Sequence, residues 1–218
     1  MNKLQLLQIL RAVAAIMVVF DHSLTILIKH PYAEYPLRDF AWFLGEQGVV
    51  IFFVISGFIM ITTSWDVFQK RRAGFYFLKN RLFRIIPMYW IFTSLAVLLT
   101  GFGLWNQPKV ISVETVIKSF LLIPYLEAGS YAGPIRPILG PGWTLMYELF
   151  FYIIFAIGIS FKKFYGIFFI NFIILLLLFV FNSVQEGFVS YDLIVFLVTR
   201  FRFYFWSVFF LVVFISLI

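Results

Sequence analysis

The sequence predicts an all-α fold, a polytopic bundle of transmembrane helices. Composition and run length carry that prediction. Of 218 residues, 63% are hydrophobic and only 12% are charged, against about 25% charged in an ordinary soluble domain. The mean hydropathy is +1.00, and the apolar residues gather into stretches of about 17–25, the length that crosses a bilayer. A sphere of this size has too little polar surface to cover so much apolar material. A water-soluble enzyme, a disordered tail and a nucleic-acid-binding module are thereby excluded. The net charge of +7, which in a soluble protein would point to nucleic acid, reads here as loops facing an anionic inner leaflet. With no cysteine there is no disulfide, thiol nucleophile or thiolate metal site. No bound metal or cofactor is expected.

Residues 4–28 form the first predicted span. Its length, the embedded Arg11, Asp21 and His22, and the lack of a small-residue cleavage site argue against a signal peptide. Residues 41–64 and 85–103 are the second and third spans, and 144–160 and 164–181 the fourth and fifth. A sixth apolar stretch begins near Leu193 and runs to Ile218 with Arg200 and Arg202 embedded. The whole of 1–218 reads as one transmembrane domain. Residues 104–142, rich in Pro and Gly, read as an extracytoplasmic connection. Within it, 113–126 has helical apolar spacing interrupted by Glu114 and Lys118, fitting an interfacial amphipathic helix or one that re-enters the bundle. Lys70, Arg71, Arg72, Lys79, Arg81 and Arg84 crowd the connection before span three, and Lys162 and Lys163 the turn before span five. The positive-inside rule then puts the N-terminus in the cytoplasm.

Arg11 and His22 share the first helix. Eleven residues at 100° make about 1100°, roughly 20° past three whole turns, so both point the same way, about 16 Å apart along the axis. Gln8, Ala15, Val18 and Thr25 complete a polar, small-residue stripe. An ionisable group at mid-membrane costs roughly 2.5–3.5 kcal/mol on insertion scales, so such a stripe suits a protein interior or watery cavity. The competing reading has Arg11 snorkelling to the headgroups and His22 capping the far end. In span two, Gly45, Gly48 and Gly57 permit close backbone approach, which packing explains as well as function does. Arg81 and Arg84, spaced i,i+3, share a face at the predicted mouth of span three. Paired guanidiniums suit phosphate, and a topology anchor explains them equally. Thr144, Glu148 and Tyr152 form a polar stripe in span four, and a carboxylate at that depth needs a partner or a proton. Trp143 alone is an ordinary membrane-interface residue.

Arg11 and His22 with ten residues between them, the run Phe-Phe-Val-Ile-Ser56-Gly-Phe, Arg81-x-x-Arg84 with Pro87 and Tyr89-Trp90, and Gly-Trp143-Thr144-Leu-x-Tyr147-Glu148 together resemble the membrane-bound acyltransferase-3 family. The form is similar to its exopolysaccharide-production branch. The resemblance implies a multi-pass enzyme of the bacterial inner membrane that moves an acyl group, usually acetyl from acetyl-CoA, onto a hydroxyl of a surface glycan. It implies that His22 is the catalytic histidine, that Arg11 is its motif partner, and that Arg81 and Arg84 handle acyl-CoA, with Lys79 and Arg72 beside them. Ser56, Tyr89, Trp143, Thr144 and Tyr147 are the matching positions expected to bind substrate. Glu148 could pair with Arg11, orient His22 or hold a sugar hydroxyl.

The chemistry agrees with these roles. Coenzyme A presents phosphates to a basic cluster, and a neutral imidazole can take the proton of an attacking hydroxyl, a contribution typically worth 10²–10⁴-fold. The family normally has around ten spans and a longer chain. A C-terminally truncated member is therefore expected, its bundle completed by self-association or a second polypeptide, or else an inactive fragment. A transporter or flippase of a polar substrate is the alternative reading of intramembrane Arg, His and Glu.

Overall fold

The computed structural model describes residues 3–27, 35–104, 112–125 and 137–184. Among these it contains six helices: α1 (Lys3–Leu27), α2 (Tyr35–Ser64), α3 (Ala73–Gly101), α4 (Val113–Phe120), α5 (Gly142–Gly158) and α6 (Lys163–Val184). The sixth apolar stretch of the sequence lies outside the described residues. The helices fall into two compact units, α1 with α2 and α3 to α6, and each is described by itself. Three helices, α1 to α3, hold segments long and apolar enough to cross a membrane, and α5 and α6 hold shorter apolar segments.

In the first unit, α1 and α2 meet along a seam of Ala14, Met17, Val18 and Asp21, spaced i, i+3, i+4, i+7 as one helical face requires. Ala14 is fully buried. Opposite it stands Gly48, where a Cβ would come within 2.8 Å of the Ala14 carbonyl oxygen. Only glycine lets the two backbones approach so closely, the usual device between helices in lipid. Elsewhere α1 is apolar outward, with Ile9, Val13, Ile16 and Val19 exposed, as a bilayer-facing helix should be. Helix α2 starts six residues before its predicted apolar run. Pro36, in the first turn, lacks an N–H that would be unpaired there anyway.

In the second unit α3 runs antiparallel to α5. Gly74 lies against the Ala156 carbonyl and Ser160, and Gly142 against Tyr89 at the other end. Phe77 packs between them on Tyr152 and Phe155. Helices α5 and α6 form a tight hairpin in which Gly158 and Gly166 face each other. The Gln69 N–H donates to the Ile159 carbonyl at 2.9 Å, which joins the two basic turns, 66–72 and 159–162, at one end of the unit.

Helix α3 is longer than the expected third apolar run. It begins at Ala73, ahead of residue 85, and continues through Pro87, so Arg81 and Arg84 lie within the helix, just before that run. Hydropathy marks where side chains turn apolar, whereas backbone hydrogen bonding propagates regardless. The connection holds α4, shorter than the predicted 113–126. The Ser112 hydroxyl caps it by accepting the Thr115 N–H at 3.1 Å. Leu122 ends it with a left-handed φ of 54°. Lys118 pairs with Glu114 at 2.6 Å and holds that carboxyl below its ordinary range.

The segment folds back along α3. The Tyr89 hydroxyl donates to the Ser119 carbonyl at 2.6 Å, and the Trp90 indole to the Phe120 carbonyl at 3.0 Å. Tyr89 lies 12 residues before Gly101, about 18 Å short of the end of α3. Ser119 is the hub of the dock. It is fully buried, its hydroxyl lies 3.1 Å from the Tyr125 hydroxyl, and it accepts the Ile138 N–H at 3.1 Å. Ser119→Ala strands that N–H and should cost about 1–3 kcal/mol, a Tm lowered by several degrees on thermal unfolding in detergent.

Candidate functional site

Arg11 and His22 do not sit in the α1–α2 seam. They lie to one side of it, at about 60° from Ala14 and 100° from Asp21 respectively. Within the stripe Gln8 and Ala15 are exposed and Arg11 and Val18 are half-buried, so α2 covers that face only along its Val18 edge. The His22 side chain is 46% exposed, whereas that of its neighbour Asp21 is 16% exposed, with Asp21 Oδ2 3.4 Å from His22 Nδ1. Ser56 is half-buried on α2.

The second unit gathers a different group of predicted residues. Arg81 lies between two aromatic rings, 5.5 Å from the centroid of Phe77 and 5.6 Å from that of Tyr152. Such cation–π contacts favour a fixed guanidinium, and its planar fork suits a phosphate. The Tyr152 hydroxyl donates to Glu148 Oε1. Spacings of i,i+4 generate both pairs, Phe77 with Arg81 and Glu148 with Tyr152. Antiparallel packing of α3 on α5 then brings the pairs together. Arg84, one turn further along α3, is exposed on the same side as Arg81. Glu148 therefore belongs structurally with the arginines, and Tyr152 is the partner its carboxylate has.

The other two predicted members of the basic cluster stand apart. Lys79 and Arg81 are two residues apart on a helix, so they diverge by about 160°. Lys79 accordingly lies over Phe83, 5.8 Å from its ring centroid. Arg72 precedes α3 as its N-cap residue, with a left-handed φ of 61°. Among the positions expected to bind substrate, Tyr89 is buried and committed to Ser119. Thr144 donates to the Pro141 carbonyl at 2.9 Å, fastening the first turn of α5. Trp143 is half-buried and stands edge-on to the buried Tyr147, with centroids 5.8 Å apart. Among the described residues no three His, Cys, Asp or Glu side chains gather as a metal site would require.

Sequence reasoning did not weigh Phe77 as half of the arginine clamp, or Asp21 as a wedge between α1 and α2. The available signals were Phe77 four residues before Arg81 and an intramembrane carboxylate adjoining a histidine.

A helical membrane bundle with a clamped arginine and a bonded carboxylate defines a class, membrane-embedded proteins with a built polar site. Its family follows from comparison. A family profile described as an acyltransferase domain matches residues 5–218, and the chain belongs to that family, acyltransferase family 3. The exopolysaccharide production protein ExoZ of Rhizobium meliloti (strain 1021) is 39% identical over 114 residues, covering 52% of this chain and 34% of that protein. The aligned part thus spans about a third of the curated relative's length. No solved structure matches the chain.

The Tyr152–Glu148 bond is open to a double-mutant cycle. Tyr152→Phe keeps the ring beside Arg81 and removes the donor. Combined with Glu148→Gln it should reveal a coupling of about 1–2 kcal/mol in thermal unfolding. Additive losses would mean that the two side chains do not act together.

Proposed function

We propose that this chain is the part of a membrane O-acyltransferase that takes acetyl-CoA as donor and carries the base that activates a glycan hydroxyl. The observation that carries the reading is Arg81, clamped by Phe77 and Tyr152 with Arg84 one turn away, in a chain of an acyltransferase family. Coenzyme A is a phosphate-rich donor, and a guanidinium with little freedom left loses little on binding it. A likeness to an exopolysaccharide production protein supports a glycan as acceptor. Trp143, half-buried and backed by the buried Tyr147, offers it aromatic surface.

In the reaction, the glycan hydroxyl oxygen attacks the thioester carbonyl carbon as His22 Nε2 takes the hydroxyl proton. The tetrahedral adduct collapses, the C–S bond breaks, and the departing thiolate recovers the proton from the imidazolium. The thioester is already activated, so the balance needs no ATP. The Gln69–Ile159 hydrogen bond supports the orientation expected from charge. It holds Lys70, Arg71 and Arg72 at the same end as Lys162 and Lys163, the cytoplasmic end of a multi-pass protein of the bacterial inner membrane with a cytoplasmic N-terminus.

Inside-out vesicles supplied with labelled acetyl-CoA and glycan test the reading. His22→Gln should lower transfer by about 100-fold or more. Arg81→Ala should raise the KM for acetyl-CoA by roughly tenfold, the loss of a charge-assisted contact. Lys79→Ala, on the far side of α3, should change KM by less than about twofold. Label that stays in acetyl-CoA while a polar solute crosses the vesicle membrane would indicate a transporter instead.

A further inference from the structure

We infer that Asp21 is a positioning residue for His22, fixing which imidazole nitrogen carries the proton, and that Gly45 is kept small to seat the Asp21 carboxylate. The inference rests on the reading of His22 as base and adds to it a residue and a steric requirement.

Three observations meet at this point. The Asp21 side chain is 16% exposed, although the aspartate lies in a candidate membrane span. A carboxylate withdrawn from water must be held by something or serve something. It is withdrawn because α2 carries Gly45 opposite it. A Cβ at position 45 would come within 2.5 Å of Asp21 Oδ2, 2.6 Å of Cγ and 2.7 Å of Cβ. The whole carboxyl group, rather than one movable tip, occupies the space that any other residue at 45 would take. The third observation is direction: from this seat Oδ2 lies 3.4 Å from His22 Nδ1, while 46% of the imidazole side chain stays exposed.

At 3.4 Å the contact is longer than a standard hydrogen bond, so its effect is chiefly electrostatic. A negative oxygen facing Nδ1 favours the proton there, which leaves Nε2 as the unprotonated nitrogen. The hydrogen bond or charge at one ring nitrogen decides the state of the other. Nε2 is the atom that must accept the hydroxyl proton, so the tautomer is a condition of the reaction. Adjacent residues on a helix diverge by about 100°. The carboxylate can therefore face α2 while the imidazole faces away, an arrangement that one wedge and one glycine suffice to hold.

The test reads the imidazole directly. The chain has two histidines, so His30→Gln leaves His22 as the sole imidazole. Solid-state ¹⁵N spectra of histidine-labelled protein in bilayers, taken where the ring is neutral, then report its tautomer. The parent should show Nδ1 protonated. Asp21→Asn and Gly45→Ala should both shift the population towards Nε2 protonated. In the vesicle assay both should lower kcat by about 10–100-fold with KM changed less than about twofold, and Asp21→Glu should recover part of the loss. Gly48→Ala serves as the packing comparison, since a Cβ there meets Ala14, Val18 and Met17 rather than Asp21. It should leave the tautomer unchanged. An unchanged tautomer in Asp21→Asn and Gly45→Ala overturns the inference, as does a kcat loss in Gly48→Ala equal to theirs. Full transfer by His22→Gln would instead overturn the reading of His22 as base. The spectra, which need no turnover, keep the two failures apart.

Discussion

Close approach of helix backbones is the constraint on which the rest of this molecule depends. Between helices in lipid there is no water to expel, so association must come from van der Waals packing and polar contacts. In each closely packed pair the approach runs through glycine. Gly48 admits the backbone of Ala14, Gly74 that of Ala156, and Gly158 and Gly166 admit each other. A methyl group at Gly48, Gly74 or Gly166 would meet main chain, which cannot move aside as a flexible side chain can, and one at Gly158 would meet the Ile170 side chain. The outer faces meanwhile carry large apolar residues such as Ile16, Phe83 and Phe168, which bind the helices to the bilayer but not to one another.

The polar groups follow from that spacing. Arg81 reaches the ring of Tyr152 because Gly74 lets α3 close on α5 two turns away. Tyr152 in turn is positioned to donate to Glu148 on its own helix. Asp21 is drawn out of water because Gly45 leaves room for it. In both units the inward polar side chains occupy places that small residues have opened, so packing and polar contacts are set by the same positions. The Ser119 dock follows another rule, with buried hydroxyls and carbonyls pairing among Tyr89, Ser119, Tyr125 and Ile138, since an orphaned polar group away from water is costly.

Most of the helical architecture was legible because lipid imposes a length and an apolar composition that few other environments demand. The expected spans at 4–28, 144–160 and 164–181 fall within a few residues of α1, α5 and α6. Helix ends were read less well. Arg81 and Arg84 marked an end to the apolar run, while the backbone of α3 continued through them and through Pro87. Helical spacing did put Glu148 and Tyr152 on one stripe and Arg81 and Arg84 on a common side, but the partner it left open for Glu148 was Arg11, His22 or a sugar hydroxyl rather than Tyr152. It also separates Lys79 from them, which charge clustering along the sequence conceals. What spacing within one helix could not supply was the neighbour from another helix, such as Phe77 beside Tyr152, or Gly45 beneath Asp21. Those pairings exist only once register between helices is set.

The brevity of α5 carries a consequence for the membrane itself. Seventeen residues rise about 25 Å, less than the roughly 30 Å of hydrocarbon in a typical bilayer. A helix too short for its surroundings is accommodated by lipid pinching inward around it, at a modest elastic cost. Glu148 and Tyr152 stand on this short helix, so any such thinning falls beside the polar cluster.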